Sequence, residues 1–265
     1  MRPWFVETAR IVSNRAVDAS MNHLVVSAPS IAETASAGQF VVFRTPADAT
    51  LLPRPFDLHG ADPDAGTVEV VFRVKGRGTR ALAAARAGDA LAVQGPFGRP
   101  AEPLLRGRAR IAVVGRGAGI SPLAFLAARA RALGVEVDAY LSARTPALLQ
   151  PFESLHDIAR VTVQTDLDRP GEVVTDRMAE ALQQRSVDAA FVVGSRRLAA
   201  GTLALARRDG FTAYTYAECH MGCGFGHCKS CAVPMRSGGY LLACLEGPVV
   251  DLGEVSDAYW HVLPA

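Results

Sequence analysis

The sequence predicts a multi-domain α+β protein with three parts: an N-terminal antiparallel β-barrel, a doubly wound α/β domain and a small C-terminal module. Three observations predict this fold class. Short β-branched runs separated by Gly, Pro and Asp fill roughly the first hundred residues, strands alternate with helices from Arg110 onward, and all five cysteines lie between positions 219 and 244. We place the boundaries of the three parts at residues 1–101, 102–213 and 214–265.

The first part contains five short strand-like runs. They are interrupted by turn residues, and we expect strands at 6–12, 23–27, 40–44, 68–74 and 90–94. This pattern is typical of a small antiparallel barrel or sandwich. The alanine-rich segment 77–87 predicts one short helix between the last two strands, and Gly88-Asp89 ends it in a turn.

In the second part, strand-like and helix-like patterns of apolar residues alternate along the chain. We expect strands at 111–114, 135–142, 161–165 and 189–193, and helices at 121–133, 174–184 and 198–208. Alternation of this kind implies parallel βαβ units in a doubly wound sheet. The cysteine-containing segment follows the last of these helices and begins near Tyr216.

Composition and charge exclude several classes of function. The chain has 265 residues, of which 49% are hydrophobic and 20% charged, so it can bury a sizeable core. A net charge of +2 offers no broad electrostatic footprint for nucleic acid. The chain has no run of eighteen apolar residues and no signal-peptide core at its start. We therefore expect no membrane association and a reducing, cytoplasmic location.

Four of the cysteines have the spacing of an iron–sulfur site. Cys223, Cys228 and Cys231 form Cys-x4-Cys-x2-Cys, and Cys244 follows after twelve further residues. A plant-type ferredoxin holds a [2Fe–2S] cluster with this arrangement of thiolates. Intervening glycines at 222, 224 and 226 predict a tightly wrapped loop with positive φ. Cys219 falls outside the spacing, and we expect it to be a buried or half-buried free thiol.

Two other uses of these cysteines remain open. Four thiolates with His220 and His227 nearby have the donor types of a structural zinc site. Zinc ribbons, however, usually pair two Cys-x2-Cys knuckles, and the sequence has one. Disulfide bonds suit small secreted domains better than a 265-residue chain whose cysteines crowd into 26 positions.

A glycine-rich turn joins the first predicted strand of the second part to its first helix. Gly115, Gly117 and Gly119 lie in this turn. Such a turn brings backbone amides and a helix N-terminus to a pyrophosphate group, although a tight strand-to-helix connection requires glycine as well. The spacing is not that of the dinucleotide fingerprint.

The barrel region contains two further candidates for binding an anion. Arg54 and Arg73 supply positive charge at the ends of predicted strands, and Gly78-Thr79 lies at the start of the inserted helix. Taken singly, the Arg-Pro pair at 54–55 is also typical of an ordinary turn.

The order of these motifs resembles a known family. Arg-Pro-Phe-Asp at 54–57, Gly-x-Gly-Thr at 76–79, Gly-Pro-Phe-Gly at 95–98, the glycine turn and the cysteine loop follow one another as in the electron-transfer subunits of NAD-linked dihydroorotate dehydrogenases. These subunits are a branch of the ferredoxin reductase-like flavoproteins. The resemblance covers essentially the whole chain, and its most specific parts are segments 221–231 and 244–249.

The resemblance implies three cofactor or substrate sites. FAD is expected in the barrel, NAD(P)H as substrate at the glycine turn, and a [2Fe–2S] cluster on Cys223, Cys228, Cys231 and Cys244. The residues implied to bind FAD are Arg54, Pro55, Phe56, Asp57, Val71, Phe72, Arg73, Gly78 and Thr79, and those implied for the nucleotide are Gly115, Gly117 and Gly119.

The resemblance also implies a function. Electrons from NAD(P)H pass through FAD and the cluster to a separate FMN-containing catalytic subunit, a dihydroorotate dehydrogenase of pyrimidine biosynthesis, in an assembly with two copies of each chain. No residues of a carbon-substrate site are evident in the sequence. Two alternatives stay open: a reductase subunit for another partner, as in the NAD(P)H–ferredoxin transhydrogenases, and an iron–sulfur redox sensor without turnover.

Three positions depart from the family pattern. Asp57 stands where a serine is usual, Arg116 where a glycine is usual, and Ser195 where a proline is usual. A carboxylate beside the flavin would disfavour its anionic reduced form and lower its potential. Close approach of the backbone to a pyrophosphate requires Arg116 to point outward, and the charge of Arg116 is itself a candidate for contact with a phosphate. Ser142 and Arg144 are candidates for contact with an adenosine ribose or a 2′-phosphate.

Overall fold

A computed structural model describes residues 3–45 and 50–261 of the chain. Its N-terminal part is one seven-stranded antiparallel sheet in the order β4-β3-β7-β1-β2-β6-β5. The elements are β1 (Phe5–Asp18), β2 (Met21–Ser27), α1 (Pro29–Thr34), β3 (Phe40–Phe43), β4 (Arg54–Asp57), β5 (Gly60–Asp62), β6 (Thr67–Arg73), α2 (Arg77–Ala84) and β7 (Ala90–Phe97).

The sheet curls because its apolar side chains alternate toward one interior. Leu24 and Val26 on β2 and Val68 and Val70 on β6 are buried, each separated from the next by a less buried residue. The aromatic rings of Phe56 on β4 and Phe72 on β6 lie 5.1 Å apart, so two strands that are distant in the sheet order approach each other across this interior. The expected barrel architecture is confirmed.

Two barrel strands were absent from the sequence prediction. β4 and β5 have four and three residues, and β4 contains Pro55. Segments this short and polar carry no detectable alternation. They are strands because longer neighbours pair with them: β3 pairs with β4 and β6 pairs with β5.

The second part is a six-stranded sheet in the order β10-β9-β8-β11-β12-β15. Between β8 and β11 the strand order reverses direction, which is where doubly wound sheets bind ligands, beyond the carboxyl ends of the strands. The elements are β8 (Arg110–Arg116), α3 (Ile120–Ala132), β9 (Glu136–Ala143), α4 (Leu155–Ile158), β10 (Arg160–Thr165), α5 (Val174–Leu182), β11 (Ala189–Val193), α6 (Arg196–Asp209) and β12 (Thr212–Tyr216).

Helices cover both faces of this sheet. Ile111 and Val113 of β8 belong to a core that includes α3 and extends into the barrel, whereas Ala112 and Val114 belong to a second core with α5 and α6. Because both faces of β8 are buried, its sequence is a continuous apolar run. The first core joins the barrel to the sheet, so the two pack as neighbours.

The C-terminal module contributes a strand to the second sheet. β15 pairs with β12 in the antiparallel direction, and the other neighbouring strands of that sheet are parallel. The expectation of parallel units alone is therefore incomplete, because β15 has three residues and returns from outside the βαβ pattern. The elements of this module are β13 (Ala232–Pro234), β14 (Tyr240–Leu242), α7 (Ala243–Glu246) and β15 (Val249–Asp251).

Across residues 3–45 and 50–261, none of the helices combines the length and the apolar character needed to cross a lipid bilayer.

Candidate functional site

A β-hairpin brings two of the predicted ligand cysteines together. Cys231 immediately precedes β13 and Cys244 follows β14, and these strands pair in antiparallel register. The backbone N–H of Ala243 donates to the carbonyl oxygen of Cys231 at 3.0 Å. Both thiols are buried, and their sulfur atoms lie 3.1 Å apart.

The other two cysteines form a second pair. The backbone N–H of Cys228 donates to the sulfur of Cys223 at 3.4 Å, and the sulfur of Cys228 lies 3.1 Å from the hydroxyl oxygen of Ser230. In the described residues, the only group of three His, Cys, Asp or Glu ligand atoms that converges within 4.8 Å lies elsewhere. The four thiols thus form two pairs, which suits two irons with two thiolates each better than one tetrahedral zinc ion.

Two of these thiols are prepared for ionisation. Hydrogen bonds from Ser230 lower the pKa of Cys228 to about 6, and a hydrogen bond from Cys244 lowers the pKa of Cys231 to about 6, while the pKa of Cys244 is raised. Because thiolates are the iron ligands, this donor set fits the cluster that the spacing predicted. Burial raises the pKa of half-buried Cys219 to about 12, as expected for a free thiol outside the ligand set.

The tight turn of the cysteine loop depends on two glycines with a left-handed backbone conformation. Gly224 and Gly226 have φ of +86° and +87°, and a Cβ at Gly226 would overlap the side chain of Leu245. The expectation of positive φ at Gly222 is wrong. Its role is a close approach instead, because a Cβ there would lie 3.2 Å from the sulfur of Cys228. Lys229 has φ of +58°, a left-handed backbone conformation that no sequence pattern predicted.

A cavity of about 670 Å³ lies between the barrel and the second sheet. Its volume is typical of cofactor sites. Its walls bring together many of the residues predicted for FAD and for the nucleotide, namely Pro55, Phe56, Asp57, Val71, Phe72, Arg73, Gly117 and Gly119. Predicted residues that do not line it are Arg54, Gly78, Thr79 and Gly115.

Arg54 and the start of α2 meet beside this cavity. The Nε atom of Arg54 is buried without a hydrogen-bond partner in the described part of the chain, and a Cβ at Gly78 would lie 3.1 Å from it. Buried polar atoms of native proteins normally have partners, so this unsatisfied donor fits an anionic group such as the pyrophosphate of FAD. The hydroxyl oxygen of Thr79 accepts from the backbone N–H groups of Lys75 and Gly76, which holds the first turn of α2.

Asp57 is a protonatable group in the cavity wall. Burial, with a contribution from Glu218, raises its pKa to about 7. Glu218 lines the same cavity, and burial raises its pKa too. The sequence alone suggested an ionised carboxylate at position 57. Near neutral pH a large fraction of Asp57 is instead the neutral acid, which can donate a hydrogen bond.

Each glycine of the turn after β8 has a distinct role. Gly117 has φ of +54°, and a Cβ at Gly119 would lie 3.0 Å from the carbonyl oxygen of Val193 on β11. A Cβ at Gly115 would lie 2.9 Å from side-chain atoms of Ile120 and Leu123. Gly115 therefore permits α3 to pack on β8, whereas Gly117 and Gly119 face the cavity at the reversal point of the sheet.

The other departures from the family pattern have structural partners. Arg116 donates to the carboxylate of Asp166 at 2.7 Å and also lines the cavity. The hydroxyl oxygen of Ser195 accepts from the backbone N–H of Leu198 and caps α6, a role for which serine is well suited. Ser142 is buried and donates to the carbonyl oxygen of Gly115, so its hydroxyl is unavailable to a nucleotide, whereas Arg144 lines the cavity.

Two family models match the chain. Residues 8–101 match an oxidoreductase FAD-binding domain, and residues 218–256 match the iron–sulfur cluster binding domain of dihydroorotate dehydrogenase B. The barrel, the doubly wound sheet and the cysteine loop thus define a ferredoxin reductase-like flavin and iron–sulfur oxidoreductase subunit.

Curated relatives narrow this class. The dihydroorotate dehydrogenase B (NAD(+)) electron transfer subunit of Shouchella clausii (strain KSM-K16) is 31% identical over 92% of this chain and 96% of its own length. The corresponding subunit of Bacillus caldolyticus is 32% identical over 94% of this chain and 98% of its own length. The chain belongs to the family of dihydroorotate dehydrogenase B electron transfer subunits.

A solved structure supports the same architecture. An NADH-dependent reduced ferredoxin–NADP oxidoreductase, described for flavin-based electron bifurcation, superimposes with a TM-score of 0.86 and 26% identity, covering 97% of this chain and 93% of the other.

Proposed function

We propose that this chain carries electrons from NADH, through FAD and a [2Fe–2S] cluster, to the catalytic subunit of a dihydroorotate dehydrogenase in pyrimidine biosynthesis. The named relatives are the electron transfer subunits of NAD(+)-linked enzymes of this kind, which supports NADH as donor and a dihydroorotate dehydrogenase B catalytic subunit as partner. That this partner contains FMN is part of the proposal. The four-chain assembly with two copies of each subunit is part of this proposal.

One observation carries the proposal. A single cavity has flavin-family residues of β4 and β6 on one wall and the turn after β8 on the other, and Glu218 in its lining is followed directly by the cysteine segment. Electrostatically, the Cys219 thiol senses both Asp57 of the cavity and Cys231 of the loop. The hydride site and the cluster ligands are therefore near neighbours.

We assign the predicted residues to these roles. Pro55, Phe56, Asp57, Val71, Phe72 and Arg73 contact FAD, Arg54, Gly78 and Thr79 bind its pyrophosphate, Gly115, Gly117 and Gly119 form the nucleotide turn, and Cys223, Cys228, Cys231 and Cys244 hold the irons. The three parts at 1–101, 102–213 and 214–265 are the corresponding functional units, with the FAD-domain match over 8–101 in support.

The chain's own residues position the donor and manage charge. When bound, FAD and the cluster convert a two-electron hydride donor into a source of single electrons. The turn at Gly117 and Gly119 admits the nucleotide backbone closely, Arg54 offers a donor to an anionic group, and Asp57 holds a proton at the cavity wall. The cavity walls shield the transfer from water.

A second candidate function, that of a reductase subunit for a ferredoxin-type partner, has a specific observation in its favour. The solved relative with 26% identity is a ferredoxin–NADP oxidoreductase, and Asp57, Arg116 and Ser195 all lie in the wall of the cavity. A reductase subunit for a ferredoxin-type partner is therefore the alternative. The partner that copurifies with the chain distinguishes the two, since an FMN protein that oxidises dihydroorotate supports the first.

Anaerobic addition of NADH and, separately, of NADPH to the purified holoprotein tests the reductase function. Bleaching of the flavin absorption with NADH and two irons per chain are expected. A chain that only senses redox state would not bleach with either nucleotide, and a zinc protein would be colourless. We also propose a cytoplasmic location, in keeping with five cysteines that form no disulfide bond.

A further inference from the structure

We propose that His23, His59 and Glu69 form a zinc-binding site at the junction of the barrel and the second sheet. One ring nitrogen from each histidine and a carboxylate oxygen of Glu69 all lie within 4.8 Å of one another. Two imidazole nitrogens and one carboxylate oxygen are the donor set of many zinc sites with an open fourth position. These residues take no part in the proposed electron route.

The strands place the three side chains on one face of the barrel sheet. His23 on β2 pairs in register with Val71 on β6, two residues from Glu69, and the Nε2 atom of His23 lies 2.8 Å from Oε2 of Glu69. His59 follows β4, and its ring meets that of His23 edge-on, with centroids 5.4 Å apart. The edge of a tetrahedral site with bonds near 2.0 Å is about 3.3 Å, so zinc would replace the His23–Glu69 hydrogen bond, move those two atoms slightly apart and hold His59 at the same separation.

His59 is oriented by a second partner, as ligating histidines commonly are. Its Nδ1 atom lies 3.2 Å from the backbone carbonyl oxygen of Ser121, at the start of α3. A carbonyl only accepts, so Nδ1 carries the hydrogen and Nε2 carries a lone pair for a metal.

A metal ion has a path to this cluster. His59 and Glu69 both line a second cavity of about 1080 Å³, whose wall also includes Phe125 and Arg129 of α3. This cavity supplies room for water at the fourth coordination position. Because His59 also contacts Ser121 and stands against the ring of Phe152, a bound ion would tie three barrel segments to the helix that follows the glycine turn.

Zinc binding to the holoprotein tests the site while the cluster occupies the thiolates. Holoprotein is equilibrated with zinc sulfate and desalted, and zinc and iron are then measured together by mass spectrometry. Zinc X-ray absorption gives the ligand types. We expect one zinc and two irons per chain. The zinc ion should have nitrogen and oxygen neighbours at about 2.0–2.1 Å and no sulfur neighbour at about 2.3 Å.

Variants localise the ion. His59→Ala and Glu69→Gln should each weaken zinc binding more than tenfold in calorimetric titrations, whereas His156→Ala, which removes an exposed histidine of α4, should leave it unchanged. The milder Glu69→Gln keeps the test valid should His59→Ala fold poorly. Four results would each overturn the proposal. They are sulfur neighbours of the zinc ion, zinc uptake with loss of iron, unchanged zinc affinity in both variants, and no zinc retained by the unaltered protein.

Discussion

The cysteine loop and the flavin cavity are built in opposite ways. The four predicted iron ligands lie within 22 positions, and one short hairpin brings the last two together. The cavity draws its walls from β4, β6, the turn after β8 and the turn after β11, so Asp57 and Ser195 meet across more than half of the chain. Local spacing therefore reveals the first site, whereas the second exists only after the domains pack.

The two regions also treat ionisable groups in opposite ways. In the loop, hydrogen bonds lower the pKa values of Cys228 and Cys231 and favour the thiolates that bind iron. In the cavity, burial raises the pKa of Asp57 to about 7 and favours the neutral acid. One site is prepared to hold cations and the other to hold a proton. The four changes below test this contrast, beginning with the largest effect.

Removal of a buried ligand should abolish the cluster and leave the cavity intact. In Cys231→Ser we expect iron to fall below a tenth of its normal content, because a hydroxyl is a poor ligand for these irons. Electron transfer from NADH to a one-electron acceptor should drop more than a hundredfold, while NADH still bleaches the flavin. Cys219→Ser is the matched control and should keep its iron. Full iron content in Cys231→Ser would contradict the assignment.

Asp57 should give the folded protein a measurable pH dependence. Its pKa rises from 3.8 to about 7, so the folded state holds a proton that the unfolded state releases as the pH rises through this window. The contribution of Asp57 to stability is greatest below pH 4 and falls toward pH 7, by roughly 4 kcal/mol in total.

The comparison of urea unfolding at pH 5 and pH 8 checks this dependence. We expect the free energy of unfolding to fall by about 3 kcal/mol more in the unaltered protein than in Asp57→Asn. Asp64→Asn, at an exposed position, should behave like the unaltered protein. An equal fall in the free energy of unfolding between pH 5 and pH 8 in all three proteins would mean that Asp57 is ionised at both pH values.

Gly226 should be more sensitive than a glycine with the same backbone. Gly226→Ala introduces a Cβ that overlaps Leu245, whereas Gly238→Ala, at φ of +88°, meets nothing within 4 Å. Both changes carry the cost of left-handed φ, of about 1 kcal/mol, and the first adds overpacking of about 2 kcal/mol. The free energy of urea unfolding and the iron content should differ between the two variants. Equal values in both would show that the cysteine loop accommodates the added methyl group.

Arg54 should matter for FAD affinity. Loss of the half-buried guanidinium, whose Nε atom has no partner, in Arg54→Ala should weaken FAD binding about tenfold, or about 1.4 kcal/mol, as measured by flavin fluorescence during titration of the apoprotein. Arg10→Ala removes an exposed arginine of β1 and serves as the control. An unchanged affinity in Arg54→Ala would place the pyrophosphate elsewhere.

The regular elements were predictable wherever their own residues supplied the pattern. The long strands β1 and β6 and the helices α3 and α6 follow from β-branched runs and from apolar periodicity. The strands β4, β5, β12, β13, β14 and β15 were missed. All of them except β12 have three or four residues, and β12 carries polar threonines, so their pairing with neighbours decides their state.

Within the candidate site, the residues that sequence reasoning could not interpret are those with distant partners. Arg116 pairs with Asp166, and Ser142 bonds to Gly115. Gly115 and Ser142 lie on the adjacent strands β8 and β9, whereas Asp166 follows β10, two strands away from Arg116 on β8, and parallel register brings both pairs together across tens of residues. Ser195 has a local role as a helix cap, and a serine shortly before the predicted helix at 198–208 was a signal in the sequence for this role.

The sequence by itself determined the iron-binding spacing, the glycine turn and the alternation of strands and helices, because each depends on residues a few positions apart. Tertiary structure alone decided which side chains share the cavity and in which charge state they stand. The protonation of Asp57 depends on desolvation and on Glu218, a residue far along the chain, and such through-space effects leave no mark in local sequence.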